Sequence, residues 1–278
     1  MKERITLTIE KEILQRVDLS VNGTDVKNRS HAVELLLSRA FGENKPSKAI
    51  ILAGGKSSGL KSLTEMLPKP MLRVQNKPII EHNIEMLRNH GIKDVIISLG
   101  YRGEKIKEYF GDGSQFGVNI SYVEEEEPMG TAGPLNLLKE QIKSTFILMN
   151  GDELKDIDIE DMFSFHRKNK SIATIALTTV ENPSEYGVAV MNGNKVMTFI
   201  EKPSKQNAPS KLISAGLYIL EPEVLKIVPE GFSMIESDVF PKLATNDKLL
   251  GYVFAGQWFD ARTPDRYNEA KREWQKQK

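Results

Sequence analysis

From Lys48 onward the sequence alternates between short apolar runs and longer amphipathic runs, and this alternation constrains the fold more than any other feature. The apolar runs KAIILAGG, DVIISLGY and FILMNGD have the length and composition of buried strands. The run KPIIEHNIEMLRNHG carries its apolar residues at helical spacing and ends at a glycine. Strands that alternate with helices predict an α/β fold with a doubly wound, mostly parallel sheet covered by helices on both faces.

Polar turns follow two of the predicted strands directly. Gly54 and Gly55 follow the first strand, and Gly151 and Asp152 follow the strand FILMN. Ligands of doubly wound sheets bind beyond the carboxyl ends of the strands. We therefore expect these two turns to lie close together and to form part of a binding site.

The composition excludes several classes of protein. The 278 residues include no cysteine, which excludes disulfides and thiolate metal sites. Lysine plus arginine and aspartate plus glutamate both number 38, so the overall charge does not indicate nucleic-acid binding. No apolar run has the length of a membrane span, and the first residues do not resemble a signal peptide. We expect a cytoplasmic protein that does not enter the membrane.

The first 45 residues follow a different pattern. The run RITLTI alternates apolar and polar residues, which predicts a short half-buried strand. Two helices are predicted after it, the first within EKEILQRVDLSV and the second over HAVELLLSRAF, with Ser30 as N-cap and Gly42 as C-cap. A strand and two helices are too short to bury a core alone. We therefore predict a dimer, and a higher oligomer stays an open alternative.

This segment resembles a ribbon-helix-helix DNA-binding domain, in which two such strands pair and enter the major groove. The resemblance implies that Arg4, Thr6 and Thr8 face base edges, because arginine and threonine suit such contacts. It also implies that the start of the second helix, Asn28-Arg29-Ser30, lies against phosphate. The alternative is an oligomerising arm without a role in DNA binding.

The segment GGKSSGLKSLTEMLPKPM resembles the opening signature of the sugar-1-phosphate nucleotidyltransferases. The spacing is kept, but serine, serine, glycine and serine occupy positions 57, 58, 59 and 62, where the family has glycine, threonine, arginine and proline. The resemblance implies that Gly54 and Gly55 cradle phosphate and that Lys69 places a charge on the α-phosphate. The family arginine contacts the departing phosphates, and Gly59 offers no such charge.

Further motifs of the same family follow in order. The resemblance implies that Asp152 and Asp260 hold Mg²⁺. Arg262 stands where the family usually has glycine, so it either replaces the missing arginine or blocks the cleft. Lys56 and Lys61 are alternative sources of the missing charge.

The resemblance also implies contacts to the base and the sugar. The motif PMGTAGPL places Gly130 and Thr131 in the loop around the base, and Glu125 stands where the family has glutamine. A carboxylate accepts hydrogen bonds but does not donate them, so the base preference is expected to differ. On the sugar side, the motifs EYGVA and EKP carry over Gly187, Glu201 and Lys202.

These features lead to one main prediction and two alternatives. Residues 1–43 are predicted to form a ribbon-helix-helix domain, 44–47 a linker, and 48–278 a nucleotidyltransferase-like Rossmann-type domain. The main prediction is a transcriptional regulator that binds operator DNA and senses a nucleotide, nucleotide-sugar or sugar phosphate without catalysis. The first alternative is an active nucleotidyltransferase that regulates its own operon, with Lys69 and Lys202 as catalytic residues. The second alternative is a scaffold with a dimerising arm.

Overall fold

The structure is a computed structural model, and it describes residues 5–23, 26–40, 45–56, 60 and 64–275. The chain divides into two compact units, Met1–Lys45 and Pro46–Lys278. The predicted linker, residues 44–47, spans the boundary between the two units. Among the residues that the structure describes, no helix is both long and apolar enough to cross a membrane.

The first unit contains two helices, α1 (Lys11–Leu19) and α2 (Arg29–Ala40). Residues 5–10 form neither helix nor strand, so the predicted strand is absent over its described part; Arg4 lies outside the described residues. An isolated strand leaves its N–H and C=O groups without ladder partners, so it is not stable without a second strand beside it.

The start of α2 differs from the prediction. The side-chain oxygen of Asn28 accepts a hydrogen bond from the backbone N–H of His31 at 2.9 Å, which makes Asn28 the N-cap. Ser30, the predicted cap, therefore lies in the first turn of the helix. Gly42, the predicted C-cap, lies outside the described residues.

The second unit is built from a central sheet with helices packed on it. Its strands and helices are, in chain order, β1 (Lys48–Ala53), β2 (Arg73–Val74), β3 (Lys77–Pro78), α3 (Ile79–Asn89), β4 (Asp94–Leu99), α4 (Gly103–Phe110), β5 (Asn119–Glu124), α5 (Pro134–Leu137), β6 (Phe146–Asn150), β7 (Glu153–Lys155), α6 (Ile159–Asn169), β8 (Ala173–Thr179), β9 (Gly187–Asn192), β10 (Lys195–Glu201), β11 (Leu212–Leu220), α7 (Phe240–Thr245), β12 (Leu249–Val253), β13 (Trp258–Asp260) and α8 (Pro264–Glu273). A π-helix, Ile235–Val239, precedes α7.

The central sheet has nine strands in the order β5-β4-β1-β6-β11-β8-β12-β10-β9. The four strands from β5 to β6 run parallel. Beyond β6 the sheet is mixed, because β11 runs antiparallel to both of its neighbours and β9 and β10 form an antiparallel pair. The prediction of a mostly parallel sheet therefore holds for one half only. The antiparallel pair follows from the short turn at Gly193, where φ is 57°.

Helices cover both faces of the sheet, as the alternation of elements predicts. Along β1, the side chain of Ile51 joins a buried cluster that includes residues of α3, α4 and α6. The adjacent Ile50 points to the other face and joins a cluster that includes residues of α5 and α7. Since successive side chains of a strand point to opposite faces, the apolar run Ala49–Ala53 of β1 reflects burial on both sides.

The register of the strands brings the two polar turns to one edge of the sheet. Leu52 of β1 pairs with Asn150 of β6, and the backbone N–H of Gly151 donates to the carbonyl of Leu52 at 2.9 Å. A separate two-stranded ribbon joins β7 to β13 and pairs Glu153 with Asp260. Segments that are distant in the sequence therefore meet beyond the carboxyl ends of β1 and β6.

Candidate active site

A cleft of about 650 Å³ opens at this edge of the sheet. Its walls come from the turn after β1, the loop after β5, the turn after β6, the loop before the π-helix, and the segment after β13. Several predicted site residues line it, namely Gly54, Gly55, Glu125, Gly130, Thr131 and Asp152. The cleft has the volume of a small-molecule site.

Lys69 and Asp152 form an ion pair at the base of the cleft. Lys69 begins a short 3-10 turn between two prolines, its side chain is buried, and its Nζ donates to Oδ2 of Asp152 at 2.6 Å. The side chain of Asp152 keeps 31% of its surface exposed. Burial acts to raise the pKa of Asp152, but the charges of Lys69, Arg262 and Lys155 outweigh it and hold that pKa below its ordinary value.

Asp260, the second predicted metal ligand, lies beside Glu153 but is almost fully buried. Its Oδ2 accepts hydrogen bonds from the hydroxyl of Tyr186 and, at 3.2 Å, from Nη1 of Arg266. Its Oδ1 accepts the backbone N–H of Arg262 at 2.9 Å. Burial and the bond to Asp260 raise the pKa of Tyr186 well above its ordinary value, so the tyrosine stays protonated and continues to donate.

Asp152 and Asp260 are not equally suited to bind Mg²⁺. Mg²⁺ is commonly bound through one or two carboxylates together with substrate phosphates. Asp152 is exposed to the cleft and has one oxygen without a hydrogen-bond partner among the described residues. Both oxygens of Asp260 already accept hydrogen bonds, and the described residues contain no cluster of three metal-ligating side chains. The donor set fits a metal held by Asp152 and by ligand oxygens, with Asp260 joining only if it gives up a donor.

A second ion pair lies behind the first one. Lys155 has no exposed side-chain surface; its Nζ donates to the carbonyls of Asn150 and Gly216 at 3.1 and 3.0 Å and lies 3.5 Å from Glu153 Oε2. Burial lowers the pKa of Lys155, against the opposing effects of Glu153 and Asp152. Sequence reasoning missed this pair, because neither residue belongs to a motif and a strand with a Glu–Leu–Lys pattern is typical of a solvated edge.

Glu125 lies on the opposite wall, against the turn after β1. Its Oε1 accepts a hydrogen bond from the hydroxyl of Ser98 at 2.7 Å, and its Oε2 accepts the backbone N–H of Met129 at 3.0 Å. A Cβ atom at Gly54 would overlap Oε1 of Glu125, so only glycine permits this approach. The carboxylate is thereby fixed at the cleft with acceptor capacity left on both oxygens.

A buried hydrogen-bond network supports the loop around Gly130 and Thr131. The hydroxyl of Thr131 donates to Glu236 in the π-helix, and Tyr218 donates to the other oxygen of Glu236 at 3.1 Å. Gly130 adopts a φ of 78°, and a Cβ there would overlap the carbonyl of Ser233. Burial raises the pKa of Glu236. No motif marked Glu236, although π-helical turns often occur at functional sites.

The structure places the three predicted sugar-side residues next to one another, outside the lining of the cleft. Gly187 packs against the ring of Phe199, and a Cβ there would lie 3.0 Å from Oε2 of Glu201. That Oε2 is buried and has no hydrogen-bond partner within the described structure. Lys202 is mostly exposed, with its Nζ 3.2 Å from Oε1 of Glu201.

Two basic side chains complete the lining. Lys56 lies over the ring of Tyr101, with 5.3 Å between Nζ and the ring centroid. Arg262 lies over the ring of Tyr186 at 4.4 Å and partly fills the cleft without closing it. The departures from the family signature at positions 57, 58, 59 and 62, and the alternative cation Lys61, fall outside the described residues.

The residues predicted to contact DNA belong to the first unit. Thr6 and Thr8 are exposed but do not lie on a strand, and Arg4 lies outside the described residues. Asn28 caps α2, and Arg29 donates two hydrogen bonds of 2.7 Å to Asp18. The polar groups at the start of α2 are therefore occupied within the unit, with Ser30 exposed beside them.

Residues 48–277 match the family described as Nucleotidyl transferase. The chain belongs to this family. Its fold resembles that of solved structures: HddC from Yersinia pseudotuberculosis matches with a TM-score of 0.70 at 26% identity, over 82% of this chain and 99% of HddC.

Curated relatives of this nucleotidyl transferase include the mannose-1-phosphate guanyltransferase of Yarrowia lipolytica, which is 38% identical over 78% of this chain and 61% of its own length. The mannose-1-phosphate guanylyltransferase catalytic subunit beta of Danio rerio is 37% identical over 78% of this chain and 61% of its own length. The chain thus spans less than two thirds of the length of these relatives.

The comparisons overturn the main functional prediction. The chain was predicted to be a DNA-binding transcriptional regulator without enzymatic activity, yet its relatives at 36–38% identity are named as guanylyltransferases, which are enzymes. Operator DNA has no support as a partner in these comparisons. The prediction was wrong because it gave most weight to the absence of arginine at position 59, whereas Asp152, bonded to Lys69, and Arg262 line the cleft.

Proposed function

We propose that the chain is a sugar-1-phosphate nucleotidyltransferase that uses GTP and mannose 1-phosphate. In this reaction an oxygen of the sugar phosphate attacks the α-phosphorus of GTP. The bond between that phosphorus and the bridging oxygen to the β-phosphorus breaks, and pyrophosphate leaves. Family membership and the names of the relatives support the reaction class.

The phosphate-binding roles fall on residues at the base of the cleft. The backbone N–H groups of Gly54 and Gly55 face ligand oxygens, as in other glycine-rich anion sites. Lys69 places a fixed ammonium beside Asp152, where it neutralises charge on the α-phosphoryl group. Mg²⁺, held by Asp152 with Asp260 as a second candidate ligand, would neutralise charge on the nucleotide phosphates.

The position of Glu125 is the observation that carries the choice of guanine. The Watson–Crick edge of guanine offers two adjacent donors, N1–H and the N2 amino group, which match the two acceptors of a carboxylate. Uracil and thymine offer one N–H between two carbonyls, which a carboxylate repels. Ser98 and Met129 fix the carboxylate at the cleft, so it cannot easily turn away from a wrong base.

The sugar-side roles rest on Glu201, Gly187 and Lys202. The unpartnered Oε2 of Glu201 is a buried acceptor, and such atoms are costly unless a donor reaches them. A sugar hydroxyl supplies that donor, and Gly187 leaves room beside it. Lys202 supplies a cation for the sugar phosphate.

The test is pyrophosphate release from a matrix of nucleotides and sugar 1-phosphates. We expect activity with GTP and mannose 1-phosphate, and silence with every pair would refute the proposed function. Glu125→Gln should lower kcat/KM for GTP by about 10- to 100-fold, because one donor–acceptor match becomes a donor–donor clash. The same change should improve UTP relative to GTP. Glu127→Gln, outside the cleft lining, is the matched control.

We also propose that residues 1–43 form a ribbon-helix-helix-like unit that pairs with a second copy of itself. The supporting observation is the exposure of large apolar side chains in this unit: Ile5 is 66% exposed, Leu7 52% and Leu19 86%. Sedimentation of the full chain should give a dimer mass, and the Ile5→Asp/Leu7→Asp variant should give a monomer mass. An unchanged mass in the variant would contradict the pairing.

A further inference from the structure

The charged side chains that line the cleft are mostly acidic, so a phosphate ligand needs a basic side chain that it can reach. Of the described side chains that line the cleft, four are acidic, namely Glu125, Glu126, Asp152 and Glu153. Two are basic, Lys56 and Arg262. A triphosphate and a sugar phosphate together bring several negative charges, so the placement of these two cations decides where phosphate can bind.

The two other lysines near the cleft are committed to partners. Lys69 is bonded to Asp152, and Lys155 has no exposed side-chain surface and is bonded to two backbone carbonyls. Lys56 stands over Tyr101, on the side of the glycine turn. Arg262 is the other basic side chain among the described residues that line the cleft, and Lys202, the further sugar-side cation, lies outside that lining.

Arg262 is held in place while most of its donors stay unused. Its backbone N–H binds Asp260, its guanidinium stacks on Tyr186, and its Nη1 donates to the carbonyl of Glu185. This is the one hydrogen bond that the guanidinium forms with the described residues. Its Nη2 lies 3.8 Å from Oε1 of Glu153, which is an ion pair but too long for a hydrogen bond. The side chain is 30% exposed.

The stacking partner of Arg262 locates it on the sugar side. Tyr186 immediately precedes Gly187, and its carbonyl accepts the backbone N–H of Lys202 at 3.0 Å. The guanidinium thus lies between Asp152 and the turn that carries Glu201 and Lys202. The glycine turn and Glu125, which approach each other closely, are the residues that the proposed function assigns to the nucleotide.

We propose that Arg262 binds the phosphate group of the sugar 1-phosphate through two N–H groups of its guanidinium. This inference rests on the proposed function and names one of its substrate contacts. The planar fork of arginine matches two phosphate oxygens, so it both neutralises the nucleophile and orients the attacking oxygen. Glu153 holds the fork in the absence of ligand, and the phosphate displaces this weak 3.8 Å pair.

The sequence supports a role that is particular to this chain. Arginine occupies position 262, where the resembling family usually has glycine, and glycine occupies position 59, where the family has arginine. The chain therefore departs from the family signature in opposite directions at these two positions. Because Arg262 lies beside the sugar-side residues, it does not simply take over the contact to the departing phosphates that the family arginine makes.

The test is calorimetry of mannose 1-phosphate and of Mg²⁺–GTP binding to the full chain, so it does not depend on turnover. For Arg262→Gln we expect mannose 1-phosphate to bind about 10- to 100-fold more weakly, with GTP affected less than about threefold. Arg262→Lys should lie between wild type and the glutamine variant, since lysine keeps the charge without the fork. Steady-state kinetics should show the same split, with the effect in KM for the sugar phosphate.

Arg102→Gln is the matched control, because Arg102 also lies over a tyrosine ring and has a carboxylate at 3.7 Å, but it does not line the cleft. A circular dichroism melt checks that each variant is folded. Equal binding of mannose 1-phosphate to wild type and Arg262→Gln would overturn the inference, and so would a loss confined to GTP. If wild type bound neither ligand, both the inference and the proposed function would fail. Turnover without an effect at Arg262 would remove the inference alone.

Discussion

The two walls of the cleft hold their carboxylates in different ways. On the phosphate wall, formed by Asp152, Glu153 and Asp260, every carboxylate has a basic partner. Those partners are Lys69, Lys155, Arg262 and Arg266. On the base wall, Glu125 lines the cleft and Glu236 lies buried against Thr131, and the described partners that hydrogen-bond these carboxylates are neutral. They are the side chains of Ser98, Thr131 and Tyr218 and the backbone N–H of Met129.

This difference separates two kinds of recognition within one cavity. Carboxylates paired with cations create a locally balanced surface, and under the proposed function the cations on this surface are the ones that phosphate oxygens contact. Carboxylates held by hydroxyl and N–H donors keep their negative charge uncompensated, which suits donors on a base and repels phosphate. Under the proposed function, the base of the nucleotide lies beside the carboxylates without a cation and the phosphates lie beside the paired ones.

The largest effect on the phosphate wall is expected when its buried cation, Lys155, is removed. Lys155→Met should lower the free energy of unfolding by about 3–5 kcal/mol, because Glu153 and two carbonyls lose their common partner. Urea unfolding measures the change. The double variant Lys155→Met/Glu153→Gln should recover part of the loss. If Lys155→Met lowered the free energy of unfolding by less than about 1 kcal/mol, the Lys155–Glu153 pair would contribute no more than an ordinary surface ion pair.

Asp152→Asn tests whether the open ion pair serves chemistry rather than stability. Asparagine can still accept the hydrogen bond from Lys69, so the fold should persist, while turnover should fall by about 100- to 1,000-fold. Pyrophosphate release provides the measurement. Asp247→Asn, which alters an exposed pair with Lys195, should leave the rate unchanged. Comparable rates for wild type and Asp152→Asn would mean that this wall does not bear the reacting phosphate.

The smallest expected effect concerns the base wall and is a change in how the stability of the protein depends on pH. Folding raises the pKa of Glu236 above its ordinary value of 4.5, so the folded state binds more protons around that pH. Stability therefore falls as the pH rises from 4.5 to the raised pKa. Glu236→Gln removes this dependence. The free energy of unfolding of the variant, minus that of wild type, should be roughly 1 kcal/mol larger at pH 7 than at pH 4. Thermal melts across this pH range measure the difference, and a constant offset would contradict the assignment.

The sequence predicted the architecture well where local pattern and burial agree. The all-apolar runs of β1 and β6 specify strands buried on both faces, and the turns that follow them can be assigned to one edge of the sheet. The antiparallel half was missed, because strands such as β9 and β10 depend on tertiary pairing rather than on an intrinsic preference.

The candidate site was only partly readable from the sequence. Motif spacing pointed to Gly54, Glu125 and Asp152, which do line the cleft. It did not reveal Lys155 or Glu236, since nothing in the sequence marks a charged residue that becomes buried through contacts with distant strands. The functional error has a related origin: Arg262 was considered as a substitute for the arginine missing at position 59, but the sequence does not show that it lines the cleft.

The β7–β13 ribbon has a consequence for the order in which the protein is made. Asp260, Arg262 and Arg266 belong to segments that leave the ribosome after every strand of the central sheet. A nascent chain can therefore assemble that sheet, with Lys69 and Asp152 in place, before Glu153 has its partner strand. During that interval the domain lacks the ion pairs of Arg262 and Arg266, so the sheet folds without the later half of the phosphate wall.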